Sequence, residues 1–346
     1  MPEASRNFLE CFALRRVLVA LMIFCASVWF TFSNIQAQSQ EPVDTIKIDT
    51  NLISVPVIVS DRENRYVPNL PLDAFRLFDN QVEQKIAYFD TGEEPLNVVL
   101  MLDTSLSTSG VLKDIKKAAK AFIKELRPQD RAMILTFDWQ MQKLSTLTNN
   151  RKELEKAIEQ AKVGKFAGTV LHDSLMDVTR TVLQPIRGRK AIILLSDGND
   201  HGSTVTADEL IGSETEADAM IYSIYYLPEL LRFLGSPPGF PFPRPFDSGD
   251  PQRPRGPGGR RARREHAAEG MDLMAKLSEV TGGRFYQGET KTLKDTFALI
   301  AEELRHQYRL GFYPDELKRD GSVHALQVKV NRPDVSVRSR REYLAK

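Results

Sequence analysis

The feature that most constrains this chain is a short apolar segment, residues 96–102, which polar side chains follow at once. Its sequence, Leu-Asn-Val-Val-Leu-Met-Leu, contains one polar residue. Because strands buried on both faces are almost continuously apolar, this segment predicts a central strand of a parallel sheet. A second such run, Ala-Ile-Ile-Leu-Leu at 191–195, leads into Ser-Asp-Gly. Both strands therefore end in acidic loops, at the edge where open α/β sheets bind their ligands.

Strand-like and helix-like segments alternate around these two runs. Further strands are expected at 131–137, 141–146, 220–227 and 284–286, and helices at 111–126, 151–163, 169–183, 207–219, 267–281 and 293–306. This alternation is typical of a doubly wound, mostly parallel, Rossmann-like α/β sheet flanked by helices, which we place at residues 95–306. With 346 residues, 42% of them hydrophobic, the chain can bury this core and a smaller one.

The segments on either side of this domain have a different pattern. Residues 43–91 and 307–346 contain short strands with alternating side chains, separated by turn residues. In the first segment we expect one helical turn at 71–75, then a hairpin between 75–78 and 85–89 that turns at Asp79-Asn80. The two segments are expected to pack together as a small β-sandwich-like unit beside the α/β domain.

The first 37 residues have the layout of a secretory signal peptide. Arg6, Arg15 and Arg16 precede an apolar run, and a small-residue cleavage site follows near Ala37. The chain's only cysteines lie in this leader. We expect export to the periplasm, the cell surface or the medium. If the leader stays uncleaved, it would be the protein's only attachment to a membrane.

Residues 228–266 interrupt the α/β pattern. The segment is dominated by proline, glycine and arginine, which cannot build a core, so we predict a disordered insertion. Its arginines leave open a contact with an anionic surface, beside the alternative of a solvated loop. The formal net charge of the whole chain is only +1, which argues against nucleic acid as a partner.

Three separate loops offer hard oxygen atoms as metal ligands. Asp103, Ser105 and Ser107 follow the first central strand, Thr169 lies in a Gly-Thr loop, and Asp197 follows the second central strand. Carboxylate and hydroxyl oxygens suit Mg²⁺, Mn²⁺ or Ca²⁺ better than zinc or copper. The two strands are expected to be neighbours, so that their loops converge. Each residue also has a structural alternative: Ser107 as a helix cap, for example, or Asp197 in a turn.

The pattern of these five residues resembles the metal-ion-dependent adhesion site of von Willebrand factor type A domains. That site combines Asp-x-Ser-x-Ser with a threonine in a Gly-Thr loop and an aspartate in a Ser/Thr-Asp-Gly loop. The resemblance covers residues 96–306, and the whole mature chain resembles secreted bacterial proteins with a VWFA-related domain of acidobacterial type. The insertion and Ala167, where many members have a second glycine, are the departures from the family pattern.

The resemblance implies a metal-dependent binding protein. Ser105, Ser107 and Thr169 would bind Mg²⁺, or Mn²⁺ or Ca²⁺, through their hydroxyls, and Asp103 and Asp197 would bind it directly or through water. Because neutral hydroxyls compensate a dication poorly, the ion would keep an open position for an Asp or Glu carboxylate of a protein partner.

We therefore expect a binding or adhesion protein and not an enzyme. The sequence has no His-Glu-x-x-His, Gly-x-Ser-x-Gly or Gly-x-x-x-x-Gly-Lys motif. A metal-assisted hydrolase and a structural scaffold with a vestigial metal site are the alternatives. Near the expected site, Asp173 and Asp200 are interpreted as part of a solvated helix face or turn, with the alternative that they hold bound water. Trp139 is interpreted as a rim residue of the binding face, a core residue or an isolated surface residue.

Overall fold

A computed structural model of the chain describes residues 52–226, 258–288, 292–314 and 321–345. All of these residues belong to one compact unit, Asn51–Lys346. The expected signal peptide lies outside the described residues. Among the described helices, none combines the length and the apolar character that crossing a membrane requires.

The N-terminal part consists of short strands around one helical turn, Leu72–Ala74. The strands are β1 (Ile53–Asp61), β2 (Phe75–Asp79), β3 (Val82–Gln84) and β4 (Tyr88–Asp90). A hairpin does turn after Asp79, but its second strand is β3, and the expected partner at 85–89 was wrong. Asn80 and Gln81 both have positive φ, 45° and 70°. Two such residues form a tight turn that starts the return strand at once.

The α/β part alternates strands and helices as predicted. Its strands are β5 (Leu96–Asp103), β6 (Arg131–Phe137), β7 (Met141–Lys143), β8 (Arg189–Ser196), β9 (Met220–Tyr226) and β10 (Phe285–Gly288). Its helices are α1 (Leu112–Glu125), α2 (Arg151–Gln160), α3 (Leu171–Asp177), α4 (Ala207–Glu216), α5 (Gly258–Thr281) and α6 (Leu293–Arg305), and a π-helical turn at Val178–Leu183 extends α3.

These strands form one six-stranded sheet in the order β10-β9-β8-β5-β6-β7, in which β7 alone is antiparallel to its neighbour. Alternate side chains of β5 serve two separate cores. Leu100 packs in the core that includes side chains of α1, α2 and α6, whereas Met101 packs in the core formed with α3, α4 and α5. Helices on both faces therefore explain why β5 and β8 are apolar on both sides, and they confirm the predicted fold class.

The remaining strands are β11 (Tyr308–Phe312), β12 (Val323–Val330), β13 (Val335–Ser339) and β14 (Glu342–Leu344). They combine with the N-terminal strands into two antiparallel sheets, β13-β1-β11-β4 and β14-β12-β2-β3. Side chains of both sheets, including Val57, Leu77, Leu310 and Leu326, share one core. This confirms the expectation that the two ends of the chain together build a β-sandwich-like unit.

One boundary needs correction. Helix α5 starts at Gly258, so the last part of the predicted disordered insertion, 258–266, is helical. The sequence there, Gly-Gly-Arg-Arg-Ala-Arg-Arg-Glu-His, has no large apolar residue, but arginine, alanine and glutamate favour helix. The rest of the predicted insertion, 228–257, lies outside the described residues.

Helix α4 buries one carboxyl group completely. Glu214 is 0% exposed, and its Oε1 accepts a hydrogen bond of 2.9 Å from the Thr179 hydroxyl. Its Oε2 has no hydrogen-bond partner among the described residues. Burial raises the pKa of Glu214 from 4.5 to about 8, although the bond from Thr179 opposes this shift. The folded protein therefore keeps a proton here at pH values at which the unfolded chain has lost it.

We predict that this proton makes the protein less stable as pH rises from about 4.5 to about 8, because the native state binds more protons than the unfolded state in this range. The contribution approaches roughly 1.4 kcal/mol per pH unit, and Glu214→Gln should remove it. Urea unfolding at several pH values measures the slope. Glu209→Gln, an exposed control in the same helix, should keep the wild-type slope, since the pKa of Glu209 lies below this range. Equal slopes in wild type and Glu214→Gln would contradict the assignment.

Candidate metal centre

The centre is built around the ends of the two adjacent strands β5 and β8. Asp103 is the last residue of β5, and the pairing of Leu102 with Leu195 brings it level with Ser196. The Ser196 hydroxyl donates a hydrogen bond of 2.7 Å to Asp103 Oδ2 and accepts one of 3.0 Å from the Gly198 amide. A single buried serine therefore orients the first carboxylate and shapes the loop that carries Asp197.

The loop after β5 curls so that its hydroxyl groups come together. The Ser105 amide donates to Asp103 Oδ1 at 2.8 Å, and the Thr108 hydroxyl donates to the Ser105 carbonyl at 2.7 Å. As a result, the hydroxyl oxygens of Ser105 and Ser107 lie 2.9 Å apart. Ser107 does not cap helix α1, whose N-cap residue is Val111. Ser105 is buried, whereas Ser107 is exposed to solvent.

Backbone hydrogen bonds tie the loops of Thr169 and Asp197 to each other and to the first loop. Thr169 exchanges two backbone hydrogen bonds with His201, of 3.2 and 2.8 Å, so the second and third loops run side by side. The Gly164 amide donates to the Thr104 carbonyl at 2.7 Å. The three loops that carry the predicted ligands therefore meet at one edge of the sheet, and Thr169 is 5% exposed there.

Two carboxyl groups lie close together at this edge. Asp103 is 0% exposed and Asp197 is 3% exposed. Burial, and next to it the negative charge of Asp197, raises the pKa of Asp103 to about 7, against hydrogen bonds from Ser105 and Ser196 that lower it. None of these main influences is a positive charge. A cation between the two carboxylates would compensate the charge that burial disfavours.

The donor set fits a hard divalent cation. It combines two carboxylates with three hydroxyls, the oxygen ligands that Mg²⁺, Mn²⁺ and Ca²⁺ accept. In the described part of the chain, no group of three or more His, Cys, Asp or Glu side chains is placed to hold a metal ion. Hydroxyl groups would therefore have to supply most of the protein ligands. Asp103, Ser105, Ser107, Thr169 and Asp197 stay predicted ligands on this basis.

Two residues that contribute to the centre were missed from the sequence. Ser196 precedes Asp197 in the Ser-Asp-Gly loop, and its position after an apolar strand was the available signal. Tyr226 ends β9, and its side chain lies beside Asp103 and Ser107. No signal marked Tyr226, because a tyrosine at the end of an apolar strand looks like an ordinary core residue.

The neighbouring acidic residues, Asp173 and Asp200, hydrogen-bond to the loops around the centre. Asp173 accepts hydrogen bonds from the amides of Thr204 and Val205, at 3.0 and 2.9 Å for its Oδ1. Asp200 accepts a hydrogen bond of 3.1 Å from the His172 amide and one of 2.6 Å from the Ser203 hydroxyl. Both acids therefore connect the start of α3 to the loop after β8 by hydrogen bonds, and both side chains are half-buried.

Trp139 lies on the rim of this edge and not in the core. Its side chain is 44% exposed and meets that of Phe166, which is 60% exposed, edge to face with ring centroids 5.4 Å apart. Leu106, between the two serines of the first loop, is 45% exposed. Large apolar side chains therefore reach solvent from two of the three ligand loops and from the loop after β6.

Residues 98–199 match the sequence model of the von Willebrand factor type A domain family. The fold and this match define the class: the chain contains a von Willebrand factor type A domain. No curated protein sequence matches the chain.

Three solved structures illustrate the similarity. An aerotolerance-related membrane protein from Bacteroides fragilis has 15% sequence identity and a TM-score of 0.43, covering 61% of this chain and 98% of that chain. The vWF domain of the type V pili tip protein Mfa5 from Porphyromonas gingivalis has 14% identity and a TM-score of 0.42, covering 60% and 94%. Proximal thread matrix protein 1 from the mussel byssus, with a zinc-occupied MIDAS motif, has 13% identity and a TM-score of 0.44, covering 65% and 49%.

A close contact between two glycines supports the loop of Asp197. A Cβ atom on Gly270 of α5 would lie 2.6 Å from the carbonyl oxygen of Gly198, a distance that forces the backbone to move. Gly198 itself has a φ of +73°, which disfavours any other residue. Helix α5 can therefore approach the candidate centre only because both positions are glycine.

We predict that Gly270→Ala destabilises the protein by about 1–3 kcal/mol, because the added methyl group overpacks the contact with Gly198. Gly212→Ala is the matched control, since a Cβ atom there meets nothing within 4 Å in the interior of α4. It should stabilise the protein by about 0.5–1 kcal/mol. Urea unfolding measures the change in the free energy of unfolding for both variants. An unchanged free energy of unfolding in Gly270→Ala would show that the loop can shift freely.

Proposed function

We propose that the chain is an exported binding protein that holds a divalent cation at this centre and uses it to bind an Asp or Glu carboxylate of a protein partner. The single observation that carries the proposal is the buried Asp103 beside Asp197, at the point where the hydroxyls of Ser105 and Ser107 converge. Export rests on the apolar run after Arg15 and Arg16, as inferred from the sequence.

The burial pattern supports a cation that buried side chains bind on one side and that solvent can reach on the other. Asp103 is fully enclosed at the end of its strand, whereas Ser107 is exposed. Two carboxylates match the formal charge of a dication, but the hydroxyl ligands are neutral and compensate its charge poorly. Such an ion attracts a further anionic oxygen, so partner binding should depend on the cation.

Trp139 and Phe166 support a second contact with the same partner. Both side chains are exposed beside the candidate centre, and exposed aromatic side chains at a rim are common anchors of protein interfaces. Lys165 is exposed next to Phe166 and adds positive charge. The partner segment should therefore present its acidic residue next to an apolar side chain.

The first test is metal binding by the purified protein without its leader. We predict that Mg²⁺ or Mn²⁺ raises the melting temperature, since a ligand bound only to the native state stabilises it by about 2.7 kcal/mol at a hundredfold excess over Kd. Asp103→Asn, which keeps the shape and removes the charge, should lose this gain. The control Asp73→Asn changes an exposed carboxylate in the antiparallel part and should respond like wild type. No response in wild type would favour the scaffold with a vestigial site.

The second test separates partner contact from metal binding. We predict that Trp139→Ala weakens binding of an acidic peptide with an aromatic neighbour by at least about tenfold, as is usual when an aromatic anchor is truncated, and leaves the response to Mg²⁺ unchanged. Fluorescence anisotropy with paired Asp and Asn peptides, in Mg²⁺ and in EDTA, measures this. Val82→Ala removes an apolar side chain of β3 that is 61% exposed and serves as the control. Equal peptide affinity of wild type and Trp139→Ala would contradict a contact between Trp139 and the partner.

A further inference from the structure

Tyr226 occupies an unusual place beside the candidate metal centre. It is the last residue of β9, and because Tyr225 pairs with Ser196 of β8, Tyr226 lies level with Asp197. Its side chain is 2% exposed and belongs to the same core as Leu102 and Val111, on the two sides of the first ligand loop. The ring is therefore fixed by packing, with its hydroxyl at the edge where the ligand loops meet.

The hydroxyl of Tyr226 makes no hydrogen bond of good geometry with the described residues, although Asp103 and Ser107 lie within reach of it. A tyrosine hydroxyl can donate one hydrogen bond. A buried donor without an acceptor is unfavourable and calls for a specific explanation.

Two other buried tyrosines have clear acceptors for their hydroxyl protons. The Tyr308 hydroxyl donates to the Val67 carbonyl at 2.7 Å, and the Tyr343 hydroxyl donates to Asp79 Oδ2 at 2.9 Å. Both side chains are at most 2% exposed, like that of Tyr226. What distinguishes Tyr226 is its location among the oxygen atoms of the candidate centre.

We infer that Tyr226 is a positioning residue of the metal centre, whose hydroxyl gains a hydrogen-bond acceptor among the oxygen atoms of the centre when a divalent cation binds. This inference rests on the proposed function. It implies that the hydroxyl is unfavourable in the cation-free protein and favourable in the loaded protein. Tyr226 thus raises the affinity for the cation without being one of its ligands.

The test is Tyr226→Phe, which keeps the buried ring and removes only the hydroxyl. The cation-free variant should melt at the wild-type temperature or above it, because an unpaired buried donor has been removed. Its affinity for Mg²⁺, measured by calorimetry and by the rise in melting temperature, should fall about tenfold. Tyr343→Phe is the matched control: it should lower the melting temperature, since it removes a hydrogen bond to the buried Asp79, and keep the wild-type affinity for Mg²⁺.

The possible outcomes separate this inference from the proposed function. If wild type responds to Mg²⁺ and Tyr226→Phe binds it equally well, the role of Tyr226 is refuted and the metal centre stands. A loss of stability in cation-free Tyr226→Phe with unchanged affinity would also refute it, since that result describes a purely structural hydroxyl. If wild type itself does not respond to Mg²⁺ or Mn²⁺, the proposed function and the inference fall together.

Discussion

The candidate metal centre depends above all on the parallel pairing of β5 with β8. This pairing places Asp103 beside Ser196. The Ser196 hydroxyl donates a hydrogen bond of 2.7 Å to one carboxylate oxygen of Asp103 and accepts one from the Gly198 amide. Both strands are buried on both faces, so neither can shift along the other without moving apolar side chains out of two cores. The packing of apolar side chains in these two cores therefore fixes the positions of the polar atoms at the strand ends.

Much of this arrangement could be predicted from the sequence, because it follows from strong and local signals. Continuous apolar runs indicate doubly covered strands, and the strand order of an open α/β sheet brings their ends together. The convergence of the Asp103, Thr169 and Asp197 loops is a consequence of that order. The pairing of the two ends of the chain into one β-sandwich-like unit was also accessible, since strands outside the α/β pattern need partners.

The features that could not be predicted depend on contacts between distant segments or on backbone detail. The hairpin after β2 was misplaced because its register follows from the left-handed conformations of Asn80 and Gln81, which a pattern of apolar residues does not reveal. Helix α5 begins earlier than expected because helix propensity does not require a core. The role of Tyr226 could not be predicted for a third reason. It depends on the atoms that surround the hydroxyl, and only folding brings these atoms together.

The antiparallel sheets are joined to the α/β part through a buried charge and not merely through apolar surface. Glu303 of α6 is 0% exposed, pairs with Arg338 of β13, and accepts a hydrogen bond of 3.1 Å from the Tyr66 hydroxyl. Leaving such a carboxylate unpaired is strongly unfavourable, so α6 is held in one position against β13. Phe297 of α6 packs against Phe122 of α1, with ring centroids 5.7 Å apart, and α1 follows directly after the loop of Ser105 and Ser107. A continuous series of packed elements therefore connects β13 to the first ligand loop, which makes the β-sandwich-like unit part of its scaffold.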